Sequence, residues 1–423
     1  MNNFLAQQIF KMGSKYRNPN LFSIAESLVK SDFYTQDQYR SIKQRKLQSI
    51  LSFYNIHSNH LKGKIQSKDP FEALNKLPIL TKKELIENHN EMQCYDAFDK
   101  LFIAETSGST GHPLRFKKDL NWDTHHRASI IRSCRWYGVE PWETNGYFWG
   151  YSFKESEVLK TKFSDLLQNR FRVFNYDQKD IASFLRKLKS ASYVHGYSSM
   201  IYETAKLALE YGLSARDFPY LKMVKGTSEK IHDSYQSPVM EAFGHKMVSE
   251  YGSAEAGIIA FECPHGKMHV NEENVILEVI NKDIVVTNLN AYSVPILRYR
   301  LGDQIIMGSG CSCGRHSKTI DEVIGRSGKI IQGENNKFPS LTLYYVFKNI
   351  AIEHDLDIMY KGVQKEKGKL EIHIADPLIP AQIELILKEA LSYFQNDIKV
   401  EIIDNADIHS RKGKKVDFET FIN

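Results

Sequence analysis

Cysteine is scarce in this chain: five residues in 423. So few thiols cannot staple a chain of this length, which excludes a disulfide framework. Long apolar runs are missing too. The longest, such as residues 275–280, are strand-sized and interrupted by Glu278, which excludes a membrane-spanning helix. Surplus charge is small, since 56 basic against 51 acidic side chains leave a formal +5. The basic clusters at 222–230 and 411–415 are too short to argue for nucleic acid and read as solvated faces. The opening MNNFLAQQIFKMGSKYR holds no apolar block long enough for a secretory signal, so a cytoplasmic location is expected. Neither an internal repeat nor a low-complexity segment is present.

What is there is an ordinary globular composition, 42% apolar and 25% charged, on a chain too long for one core. Residues 1–100 read as a mostly helical lead-in, with helical spacing in YRSIKQRKLQSILSFYNIH and an N-cap at Thr81 answered by Glu84. From about 100 to 325, short apolar runs alternate with helical patterns, which predicts α/β structure around a substantial sheet. SASYVHGY reads as strand then loop, SMIYETAKLALEYG as a helix ended by Gly212, and LKMVKGTSEK as strand then loop. Alternation between 275 and 310 predicts further β structure, as a small barrel or sheet. The pattern changes near Arg326, and 326–423 reads as a small independent α+β domain of β–α–β character. The expected class is therefore α/β, with a large N-terminal domain (1–325) and a small, mobile C-terminal one.

The segment AETSGSTGHPLRF (104–116) follows the strand-like LFIAE. Glycines let a backbone bend so that N–H groups point inward, and hydroxyls add donors, so the segment suits a phosphate. It is not a P-loop of the G-x-x-x-x-G-K-[ST] kind, because no Lys follows Gly111. Further along come GTSEK (226–230), EYGSAEAG (250–257), LRYRLGD (297–303), IGRSGK (324–329) and RKGKK (411–415). In this order and at this spacing the motifs resemble those of the adenylate-forming enzymes. Within that superfamily, LPILTKKELIEN and ECPHGKMHVNEE resemble the phenylacetate–coenzyme A ligase-like family, including the branch found with capsular polysaccharide genes. The resemblance covers essentially the whole chain.

It implies ATP-dependent activation of a carboxylic acid as an acyl-adenylate, with release of pyrophosphate and transfer to an acceptor, first of all the coenzyme A thiol. Two anions must approach each other, so such a site needs positioning and charge neutralisation rather than a covalent nucleophile. The resemblance gives the β- and γ-phosphates to Thr106, Ser107, Gly108, Ser109, Thr110 and Gly111, and Mg²⁺ to Glu255, a hard carboxylate ligand. Adenine falls between Tyr251 and the backbone of Gly226, Thr227, Ser228 and Glu229. Gly252 and Ser253 approach the α-phosphate, with Ala254 standing where many members carry Thr or Ser. Asp303 takes the ribose hydroxyls, Arg326 assists from the domain junction, and Lys414 is the adenylation lysine of the small domain. The acid falls near Trp149, Tyr151, His195, Gly196, Tyr197 and Gly257. Gly328, in Ser327-Gly328-Lys329, stands where relatives carry the pivot between domain orientations.

Cys263-x5-His269 and Cys311-x-Cys313 offer three thiolates and one imidazole, a donor set for a tetrahedral structural Zn²⁺. His265 and His316 flank the same cysteines and are rival ligands. The partners expected are a small-molecule acid and its acceptor, with no nucleic acid and no membrane span; a homodimer is allowed. A serine hydrolase is disfavoured, because GYSSM (196–200) has Met200 where the nucleophile elbow closes on Gly. An amine or hydroxyl acceptor stays open, as does the identity of the acid, since both depend on pocket shape.

Overall fold

The computed structural model describes residues 2–422 except 66, 106–113, 149–154, 174–177, 230, 281–282, 325–329, 341, 355, 357, 359, 375–376, 405 and 407–417. The lead-in is helical: α1 (Asn3–Arg17), α2 (Leu21–Ser31), α3 (Gln36–His57), α4 (Pro70–Lys76), α5 (Lys82–Glu87) and α6 (His89–Met92). Capping boxes start two of these helices, Thr35 with Gln38 on α3 and Thr81 with Glu84 on α5, so their first N–H groups are satisfied by side chains.

Next comes a two-stranded ribbon, β1 (Leu101–Glu105) and β2 (Arg115–Asp119), followed by α7 (Leu120–Arg135). Then β3 (Asn145–Phe148), α8 (Glu155–Leu167), β4 (Arg170–Arg172), α9 (Gln178–Leu188), β5 (Tyr193–Tyr197), α10 (Ser198–Glu210), β6 (Met223–Thr227), α11 (Asp233–Phe243) and β7 (Met247–Ser253) alternate as βα units. The strands β8 (Gly257–Glu262), β9 (Met268–Val270), β10 (Val275–Ile280), β11 (Asp283–Asn288), β12 (Tyr299–Met307) and β13 (Thr319–Ile324) follow without an intervening helix.

Among the described residues all of these except the ribbon join one eleven-stranded sheet, in the order β10-β11-β12-β13-β9-β8-β7-β6-β5-β3-β4. Its βα half is parallel and its hairpin half antiparallel, and β7 is the strand at which one becomes the other. The strands after residue 275 therefore extend the main sheet rather than closing a separate barrel. The reason is a long-range pairing: β13 pairs with β9 through Thr319↔His269 and Ile320↔Met268, which ties the later strands to the earlier hairpin. Ligands of open α/β sheets gather beyond the carboxyl ends of the parallel strands, and the quoted motifs at 226–229 and 250–257 begin there.

Two cores flank this sheet. One packs Phe148, Ile181, Phe184, Ile201 and Val224 with α9, α10 and α11, and the other packs Trp122 of α7 against Ile259, Val286 and Tyr299. Buried polar links stitch the lead-in to α7. Asn18 donates to Asp123 and Thr124 at 3.0 Å each, and Arg132 pairs with Asp32 at 3.0 Å and Glu273 at 3.2 Å.

From Ile330 onward the chain forms a ribbon of β14 (Ile330–Gln332) and β15 (Lys337–Pro339), then α12 (Thr342–His354), β16 (Tyr360–Gln364), β17 (Lys369–Ile374), α13 (Pro380–Phe394), β18 (Lys399–Ile403) and β19 (Phe418–Thr420). A four-stranded sheet, β18-β17-β16-β19, and its two helices enclose their own core around Ile372, Ile386 and Phe394. A helix leads this region and a hairpin follows it, a richer order than the β–α–β pattern the sequence suggested. Contacts back to the large sheet include Tyr197–Tyr345, hydroxyl to hydroxyl at 2.8 Å, and Lys337–Glu203 at 2.7 Å.

Candidate active site and metal centre

The β7–β8 hairpin carries Tyr251, Gly252, Ser253, Glu255 and Gly257. Gly252 is required there, because a Cβ would strike the carbonyl of Gly257 across the hairpin. Gly257 itself sits at φ +75°, a conformation that L side chains rarely adopt. Inside the turn, the Ser253 hydroxyl accepts from the Ala256 amide at 2.9 Å, which fixes the loop that aims Glu255. Glu255 is buried, its Oε1 accepts from the Tyr299 hydroxyl at 2.9 Å, and Asn288 holds its carbonyl at 3.1 Å. Tyr251, two residues before Ser253, donates its hydroxyl to Asp303 at 3.1 Å. Side chains 52 residues apart in sequence thus meet at one rim of the sheet.

Thr227 ends β6 opposite Glu250 of β7, and Ser228 follows it at φ +67°. Glu229 turns back instead: its Oε2 accepts from the Ser199 amide at 2.9 Å and so caps α10, and its buried carboxyl is pushed up by desolvation. Gly226 packs against Ser198 and Met247. Of the residues expected around the acid, Gly196, Tyr197 and Gly257 are buried and His195 is partly exposed. His195 lies between the rings of Tyr147 (4.5 Å) and Tyr193 (5.3 Å), with Nε2 3.3 Å from Asn145 Oδ1. Desolvation drives its pKa well down, helped by the nearby charges of Lys225, Arg170 and Arg172. Gly196 packs against Phe148, and Tyr197 reaches toward Tyr345. Residues Thr106, Ser107, Gly108, Ser109, Thr110, Gly111, Trp149, Tyr151, Arg326, Gly328 and Lys414 lie outside the described residues.

At the other end of the antiparallel half, Cys263, His269, Cys311 and Cys313 offer four ligand atoms that all lie within 4.8 Å of one another. Local structure explains the meeting. β8 and β9 are a hairpin whose turn holds Cys263, closed by Cys263 N to Lys267 O at 2.9 Å and Gly266 N to Cys263 O at 2.8 Å. His269 sits on β9 opposite Thr319 of β13, so the loop before β13 delivers Cys311 and Cys313 beside it. Cys263 and Cys311 sulfurs are 3.7 Å apart, and Cys313 Sγ is 3.3 Å from His269 Nε2. The outer nitrogen, Nδ1, pairs with the Ser317 hydroxyl at 3.0 Å, which turns Nε2 toward the sulfurs. Of the rival ligands, His265 faces Ser312 and neither it nor His316 belongs to the cluster. Behind it, Trp136 meets His269 edge-on at 5.9 Å and carries Arg315 on its face at 4.3 Å.

Sequence reasoning missed a third group. Lys118 on β2 and Trp122 and His126 on α7 stand four residues apart, next to Gly257: a Cβ there would lie 3.4 Å from His126 Nδ1. A lysine inside the buried phase of the RFKKD strand, followed by aromatic and imidazole side chains at helical spacing, was the available signal.

No family model matches the chain. It is 21% identical to Protein CapK of Staphylococcus aureus over 405 residues, spanning 83% of this chain and 87% of that protein. Among solved structures, 2-hydroxyisobutyryl-CoA ligase in its thioesterification state, with 2-HIB-AMP and CoA, superposes with a TM-score of 0.63 at 16% identity, covering 92% of this chain and 91% of the ligase. An open conformation of the same ligase gives 0.55 at 15% identity, covering 90% and 91%. The fold that carries these motifs is thus the fold of an acyl-CoA ligase, which agrees with the resemblance to adenylate-forming enzymes read from the motifs.

Proposed function

We propose that the chain is an AMP-forming ligase that activates a carboxylic acid as its acyl-adenylate and passes the acyl group to coenzyme A. The observation that carries this reading is the joining of Tyr251, Asp303 and Glu255 at the strand where the parallel half of the sheet ends, on a fold shared with an acyl-CoA ligase over 92% of the chain. The motif resemblance to the phenylacetate–coenzyme A ligase-like family, with its branch found beside capsular polysaccharide genes, is the ground for assigning it to polysaccharide or aryl-acid metabolism.

A carboxylate oxygen attacks the α-phosphorus of ATP, and the bond to pyrophosphate breaks. A thiolate then attacks the acyl carbon, the C–O bond to AMP breaks, and the thiol proton leaves to solvent. Tyr251 presents a ring to adenine while its hydroxyl orients Asp303, whose free oxygen accepts from the ribose. Glu255, held through one oxygen by Tyr299, keeps the other for Mg²⁺, which when bound neutralises phosphate charge. Thr106, Ser107, Gly108, Ser109, Thr110 and Gly111 donate to the β- and γ-phosphates, and Lys414 places an ammonium where negative charge builds. The Cys263, His269, Cys311 and Cys313 donor set suits Zn²⁺, which holds the β8–β9 hairpin to the loop before β13 without entering the chemistry.

Lys414 gives the sharpest test. Lys414→Ala should slow acid-dependent adenylation by ~10²–10³, while thioester formation from a supplied acyl-adenylate survives. Lys412→Ala and Lys415→Ala should do little. Equal, mild effects from all three would reduce this segment to a solvated basic run. Release of ADP rather than AMP would contradict the reaction class, and AMP release stimulated by an amine but not by coenzyme A would replace the acceptor.

A further inference from the structure

Three polar groups along β2 and the start of α7 are buried and unpartnered. Lys118 is 8% exposed, yet its ammonium makes no ion pair and no hydrogen bond among the described residues; it lies 5.3 Å from the Trp122 ring centroid. Trp122 Nε1 and His126 Nδ1 are likewise buried without a hydrogen-bond partner. Neighbouring carboxylates act on Lys118 through charge without a hydrogen bond or ion pair to it among the described residues, and each has one oxygen engaged by another group. Asp123 accepts from Arg127 at 2.8 Å and Asn18 at 3.0 Å, and Glu255 accepts from Tyr299. Trp122 and His126, four residues apart on α7, share one helix face, and Lys118 at the end of β2 reaches over the Trp122 ring. That junction is fixed: Asp119 caps α7 through the Trp122 amide at 2.9 Å and receives the amides of Tyr292 (2.9 Å) and Ser293 (2.8 Å).

An isolated buried cation is among the costliest features a fold can carry, and orphaned donors beside it add to the cost. Burial pulls Lys118 down to about 8 against the opposing charges of Asp123 and Glu255, and it pulls His126 down to about 3, so at neutral pH the lysine is charged and the imidazole is not. A buried ammonium beside unpartnered polar atoms is a group suited to receive an anion. Resting on the acid-activating reading of the site, we propose that Lys118, Trp122 Nε1–H and His126 form the position that receives the carboxylate of the acid. A carboxylate has two oxygens to share between an ammonium and flanking polar nitrogens, and His126 borders Gly257, two residues from Glu255. The reading of the site gives the phosphates to residues 106–111, which leaves the carboxylate as the anion for this group.

The test uses iodide as the anion probe and AMP as the phosphate probe. Crystals of the full chain soaked in sodium iodide should show an anomalous peak in contact with Lys118 Nζ, and the peak should vanish in Lys118→Met. AMP affinity, by calorimetry, should agree within about twofold between the two proteins, because the carboxylate position is separate from the phosphates. Absence of iodide at Lys118 in the unmodified protein would overturn the site. A tenfold or greater loss of AMP affinity in Lys118→Met, as expected for a lost charge-assisted contact of ~1.4 kcal/mol, would assign the position to phosphate and overturn the carboxylate assignment. Failure of every carboxylic acid to support pyrophosphate exchange would instead strike the ligase reading, and the iodide result would separate the two.

Discussion

Two buried polar corners of this molecule are built on opposite principles. Around Cys263, His269, Cys311 and Cys313 the ligand atoms face one another, and the outer nitrogen of the imidazole is bonded to Ser317. Around Lys118, Trp122 and His126, the Lys118 ammonium, Trp122 Nε1 and His126 Nδ1 have no hydrogen-bond partner among the described residues. Buried polar groups that satisfy each other stabilise a fold, whereas groups left waiting are a stability cost that a ligand offsets. The contrast separates structure from function without reference to any relative. Damage to the first corner should cost stability and spare chemistry. Damage to the second should do the reverse.

The largest effect is expected at the metal centre. Cys313→Ser should reduce zinc from about one per chain to a small fraction and lower Tm by about 5–10 °C, with acid-dependent turnover at permissive temperature within about twofold. Metal analysis of protein never exposed to chelator, followed by calorimetry, checks both halves. A second substitution sharpens the comparison from the nucleotide side. Asp303→Asn should weaken ATP binding about tenfold or more, the cost of a hydrogen bond to a charged group, with little change in Tm.

Lys118→Met addresses the other corner through stability. A lysine whose folded pKa lies below its unfolded value binds fewer protons folded than unfolded as pH rises through that interval, so its penalty is full below about 8 and fades toward the ordinary value near 10.5. The groups facing it are Asp123, Glu255, Arg127 and neutral His126. Lys118→Met should therefore raise Tm by a few degrees below pH 8, and the advantage should shrink above it. A lower Tm at pH 7 would show that the ammonium has protein partners after all. The smallest effect belongs to the contact between the large sheet and the small domain. Lys337→Ala removes a half-exposed pair with Glu203, worth at most ~1 kcal/mol in water, and should change turnover by about twofold or less.

The sequence made the fold class and the order of the motifs legible, because periodicity and loop chemistry are local properties. The helix over YRSIKQRKLQSILSFYNIH, the Thr81 cap and the strands at Tyr193–Tyr197 and Met223–Thr227 have counterparts in the structure, although α10 follows β5 directly at Ser198 where the sequence read as a loop. The meeting of Cys263 and His269 with Cys311 and Cys313 could be suspected from donor chemistry. Its cause, the pairing of β13 with β9, is a long-range register that no local pattern announces. The same limit hid the single sheet after residue 275. Lys118 was harder still, since a second lysine in RFKKD looks like surface charge until Phe116 and Trp122 are seen to enclose it. The packing of His195 between two tyrosines belongs to that class as well.

Exchange of labelled pyrophosphate into ATP, measured with and without a panel of carboxylic acids, tests adenylate formation most directly. The account predicts exchange that depends strictly on one acid class, requires Mg²⁺, falls by ~10²–10³ in Lys414→Ala and needs no coenzyme A. Exchange that proceeds at the same rate without any acid, or none with any acid in protein that binds ATP, would contradict it.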